Sequence, residues 1–76
     1  MAITRSDIID SLKSYENHPN LELVNKAIDF AIQYHGAQLR DSGEPYYQHP
    51  LEVAYLITRM RLDSTAVIVA LLHDVI

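Results

Sequence analysis

Ala66-Val67-Ile68-Val69-Ala70-Leu71-Leu72-His73-Asp74 is the stretch on which the reading of this chain turns. From Ala66 to Leu72 nothing polar interrupts the run, so a helix built from it has no face to offer to water. Such a helix is ordinarily buried at the centre of a bundle. Asp63 stands where an N-cap belongs, just ahead of the run. A central helix needs neighbours on all sides, which predicts an all-α helical bundle. The chain reaches Ile76 without a helix terminator. The expectation is therefore a bundle of four helices that is incomplete at its C-terminus, with the last helix still running.

The segments before it read at helical period. A third helix is predicted from Pro50 to Met60, with Leu51, Val53, Ala54, Ile57 and Met60 apolar. Proline suits a first turn because its missing N–H is not needed there, and Glu52 suits the positive end of the helix dipole. Ahead of it, Ala37 to His49 is polar and rich in turn formers. A second helix is predicted from Leu21 to Tyr34, carrying the stripe Leu21, Val24, Ala27, Ile28 and Ala31, with Gly36 as its terminator. Glu16 to Asn20 is a break. The first helix is predicted from Asp7 to Tyr15, capped by Ser6, with Ile8, Ile9 and Leu12 on one face.

Composition bounds the function. Seventy-six residues make at most one small domain with a marginal core of its own. The absence of cysteine removes disulfides and any thiolate-ligated zinc site. Six Lys and Arg against ten Asp and Glu give a net charge of -4, the wrong sign for a general nucleic-acid binder. A small phosphorylated ligand stays open, because a metal ion can supply local positive charge. No apolar run approaches the ~20 residues that cross a bilayer, and the N-terminus has no apolar signal core. A cytoplasmic location is the expectation.

The residues able to carry chemistry cluster late in the chain. His73-Asp74 follows the apolar run directly. Taken alone the pair fits a helix end emerging into solvent; with other helices closing around it, it supplies two metal ligands. His49, held by Pro50, is either a loop or cap residue or a third ligand. His35 at the end of the second helix reads as structural and His18 as solvated. Arg40 and Ser42 sit on the long polar loop; taken alone they read as solvated, though a guanidinium can stack on a purine or pair with phosphate and a hydroxyl can read a base edge. No phosphate-cradling glycine loop or nucleophile elbow is present.

The string from Ala27 to Ile76 resembles the opening of the HD hydrolase domain of the RelA/SpoT-type guanosine polyphosphate enzymes. The residues that carry the resemblance are Ala27, Ala31, His35, Gln38 and Arg40-Asp41-Ser42-Gly43-Glu44-Pro45-Tyr46. His49-Pro50-Leu51-Glu52-Val53-Ala54, Leu62-Asp63 and Ala70-Leu71-Leu72-His73-Asp74-Val75-Ile76 complete it. On this reading residues 1–20 are an N-terminal helix and turn, and 21–76 the family-like part of a partial HD domain.

The resemblance implies an all-helical fold with a metal, usually manganese, between helices. His49 matches a histidine ligand, and His73 and Asp74 match the pair that names the superfamily. Arg40 and Ser42 match loop residues that contact guanine. The implied reaction removes pyrophosphate from the 3′ position of guanosine tetra- or pentaphosphate. The family continues beyond the position of Ile76 with a Glu-Asp pair that handles water and a further aspartate ligand. Asp41 stands where lysine or a small polar residue is more usual, and Ala37 where glycine is common. The expectation is a hydrolase fragment inactive alone, active when a complementary chain completes it. The alternative is a non-catalytic nucleotide-, metal- or partner-binding remnant, with self-association through the apolar last helix.

Overall fold

A computed structural model describes residues 2–75, and it is helical throughout, with α1 Arg5–Lys13, α2 Leu21–His35, α3 Gln48–Arg59 and α4 Ser64–Leu72. The only pairing of extended backbone among the described residues is a single antiparallel bridge between Leu39 and Pro45 in the long loop.

Each helix starts where its first amides find acceptors. At α1 the cap is Thr4, not Ser6. The Thr4 hydroxyl accepts from the Asp7 amide while the Asp7 carboxylate accepts from the Thr4 amide, a reciprocal pair that Ser6 has no partner to form. Asn20 and Asp63 cap α2 and α4 through their side chains. Gly36 closes α2 at φ +50° and ψ -124°, a conformation that residues with a Cβ avoid. The helix α3 begins at Gln48, two residues before the expected Pro50. The Gln48 and His49 amides donate to the Pro45 and Tyr46 carbonyls at 3.2 and 3.0 Å, so the loop itself satisfies the first turn.

The core joins Ile8 and Leu12 of α1, Val24, Ala27 and Ile28 of α2, Leu51 and Ala54 of α3, and Val67, Ala70 and Leu71 of α4. The helix α4 packs against both α2 and α3, and α1 lies on α3. Polar ties fix α1 in place. Gln48 exchanges hydrogen bonds with the Ile3 backbone at 2.9 and 3.3 Å, and the Thr58 hydroxyl lies 2.8 Å from that of Ser11. Ser64 donates to Glu16, and the Tyr15 phenol to the Leu62 carbonyl. These pairs are 45 to 48 residues apart in sequence. A nearly constant offset means that α1 runs parallel to the later segment it lies on.

Two further expectations are corrected. The helix α4 is not buried on every side, since Val69 is 60% exposed while Val67 and Leu71 are fully buried. It has neighbours on one side, and its far side opens, with α2, into an apolar groove of about 400 Å³ lined by Leu23, Phe30, Ile68, Leu72 and Val75. Nor does the helix run on through the His-Asp pair. It ends at Leu72, with residues 73–75 in turns. Ile76 lies outside the described residues.

Candidate metal centre

Three elements bring the sequence-predicted donors together. His49 comes from the first turn of α3, anchored on one side by Pro50, which is buried, and on the other by Gln48 clasping Ile3. His73 is the C-cap of α4 and Asp74 follows in the turn. One ligand atom from each of His49, His73 and Asp74 lies within 4.8 Å of the others. The His49 and His73 rings meet edge to face, with centroids 6.0 Å apart.

The orientation of His73 is set by the backbone. Its Nδ1 lies 2.6 Å from the Ala70 carbonyl oxygen, which can only accept, so Nδ1 carries the proton. Nε2 is the nitrogen left to face the site, at 3.2 Å from one carboxylate oxygen of Asp74. Ligand histidines in metal sites ordinarily have their second nitrogen tied to a carbonyl in this way. The donor set of two imidazoles and a carboxylate suits a divalent ion of intermediate hardness. His73 and Asp74 are partly open to solvent, which gives a ligand access.

The other oxygen of Asp74 lies 3.4 Å from the Tyr46 hydroxyl. Tyr46 also meets the His49 ring edge to face at 6.2 Å. It stands at the end of the long loop, whose own closure is visible in the backbone. Arg40 donates to Glu44 at 2.9 Å, Gly43 to Arg40 at 2.8 Å and Tyr46 to Gln38 at 2.8 Å. Arg40 and Ser42 are exposed on this loop, and the Arg40 guanidinium has no carboxylate partner among the described residues.

His35, read from sequence as structural, is buried, and its Nε2 has no hydrogen-bond partner among the described residues. Neither its orphan nitrogen nor the reach of Tyr46 to Asp74 emerges from periodicity. The available signal was Tyr46 lying three residues before His49, on the last polar stretch ahead of α3.

Comparison with known proteins places the chain in a family. A family model described as the HD domain matches residues 27–76. Over 70 residues the chain is 46% identical to the GTP pyrophosphokinase rsh of Brucella ovis, covering 92% of this chain and 9% of that protein. It is 41% identical over 66 residues to a GTP pyrophosphokinase of Myxococcus xanthus, covering 87% and 9% respectively. It is also 42% identical over 57 residues to the bifunctional (p)ppGpp synthase/hydrolase RelA of Mycobacterium tuberculosis, covering 75% and 8%. The chain thus spans less than a tenth of the length of these relatives.

Proposed function

The chain belongs to the HD-domain family in its RelA/SpoT branch, and we propose that it is the metal-binding part of a guanosine 3′,5′-bis(diphosphate) 3′-pyrophosphohydrolase. The observation that carries this reading is the convergence of His49, His73 and Asp74 ligand atoms within 4.8 Å. Two histidines and a carboxylate around a divalent ion suit activation of water for hydrolysis, which supports the hydrolase reading over pyrophosphoryl transfer. In this reading His49 and His73 offer imidazole nitrogens and Asp74 a carboxylate oxygen, and manganese is the ion.

When bound, the ion polarises phosphate oxygen and lowers the pKa of water. The chain's own residues hold the ion and the nucleotide. The Ala70 carbonyl holds the His73 tautomer, and Arg40 and Ser42 bind the guanine nucleotide from the exposed loop. No helix of the described residues is long and apolar enough to cross a membrane, which is compatible with the cytoplasmic location we propose.

The three donors fill only half of an octahedral manganese shell, and no further His, Cys, Asp or Glu joins their cluster among the described residues. We therefore propose that catalysis needs a complementary segment carrying the missing acidic groups. The apolar groove between α2 and α4 suits a further helix of the same domain, with copies of the chain pairing through it when no such segment is supplied. The test is pyrophosphate release from guanosine tetraphosphate with manganese, by the chain alone and with the C-terminal half of a related hydrolase domain. Release only in the mixture, abolished by His73→Ala, is the expected result. Release by the chain alone refutes the need for a complement. No release in either case, from a chain folded by circular dichroism, favours the binding remnant.

A further inference from the structure

The Asp74 carboxylate has its two oxygens on different partners. One faces the His73 nitrogen at 3.2 Å, and the other faces the Tyr46 hydroxyl at 3.4 Å. A carboxylate that ligates a metal through one oxygen is commonly steered by a donor on the other, and loss of such a donor costs about 10- to 100-fold in metal affinity. Tyr46 is the donor in reach. The 3.4 Å separation is longer than a tight O–H···O⁻ bond, leaving room for it to shorten as the carboxylate is drawn into ligation.

The tyrosine is itself fixed from behind. Its ring lies on that of His35, with centroids 4.6 Å apart and planes inclined by 40°. Tyr34 meets the same imidazole edge-on at 5.2 Å. The His35 Nδ1 lies 3.3 Å from the Gln38 side-chain oxygen, and the Gln38 carbonyl accepts from the Tyr46 amide at 2.8 Å. His35, Gln38 and Tyr46 therefore form one connected unit running from the end of α2 to the metal-site turn. Burying an imidazole with one nitrogen unmet is costly, and an aliphatic side chain would pack there without that cost. The imidazole is also the surface against which the Tyr46 ring lies.

We propose that Tyr46 is a positioning residue for the Asp74 carboxylate, with its phenol oriented by His35 and Gln38. The inference rests on the metal-site reading above. It is tested by manganese binding to the whole chain, followed through the electron paramagnetic resonance signal of free manganese. Tyr46→Phe and His49→Ala are compared with wild type, and the metal-free melting temperature of each is recorded. Tyr46→Phe keeps the ring against His35 and removes only the hydroxyl. The expected result is about ten-fold weaker manganese binding, an unchanged metal-free melt, and loss of binding in His49→Ala. Wild-type affinity in Tyr46→Phe, or a lowered melt without an affinity change, overturns the positioning role while leaving the metal site standing. A wild-type chain that binds no manganese, or a His49→Ala chain that binds it unchanged, overturns the metal-site reading and this inference together.

Discussion

At Tyr15 the phenol donates to the Leu62 carbonyl, a tie between the end of α1 and the turn before α4. Burial, then the carboxylates of Glu16 and Asp63, raise its pKa above the ordinary 10.0, against a smaller opposing effect from Arg61, whose guanidinium lies 5.8 Å over the ring. Folding thus favours the neutral phenol. The stabilisation is complete below the unfolded value of 10.0 and is lost as pH rises through the higher folded value. Melting temperature should fall as pH is raised beyond 10, and Tyr15→Phe should flatten that fall; equal slopes for both proteins would show that Tyr15 is not responsible. The grouping of His49, His73 and Asp74 was readable from the sequence because a whole motif string carried it. The contacts of Tyr46 were not, because they depend on how residues 38–46 close on themselves.

Helices were legible from their apolar spacing, and their ends less so. Periodicity gives the face of a helix, whereas its limits are decided by which nearby oxygen takes the first amides. That is why α1 starts behind Thr4 and α3 at Gln48. The apolar stretch of α4 misled in another way: hydrophobicity on every side does not ensure neighbours on every side, as Val69 shows. Asp63, by contrast, was identified correctly, and its side chain accepts from the Ala66 amide at 3.0 Å. Asp63→Ala should cost about 1 kcal/mol of stability, measured by urea denaturation, while Asp63→Ser should recover most of it. A loss well under that in Asp63→Ala would mean that packing of Val67 and Leu71 holds α4 without its cap.

For the molecule as a whole, the α2–α4 groove is the largest departure from a self-sufficient domain. Leu23 and Phe30 on its rim are 48% and 51% exposed. Contiguous apolar surface of this kind is rarely left bare on a monomer. Sedimentation at rising concentration should show self-association, and Leu23→Glu with Phe30→Glu should shift the chain toward monomer while keeping its helical content. A wild type that stays monomeric at high concentration would count against the groove as a contact surface. The ties between α1 and the later helices carry a consequence for how the chain comes to be folded. Those to α3, the turn after it and α4 join residues 45 to 48 positions apart and must wait for a long loop to close, whereas Arg5 reaches Asn25 and Asp29 of α2 across only 20 and 24 positions. On a ribosome, α1 emerges ahead of α2, which it touches through Arg5, and its remaining ties wait until α3 and the start of α4 have followed it out.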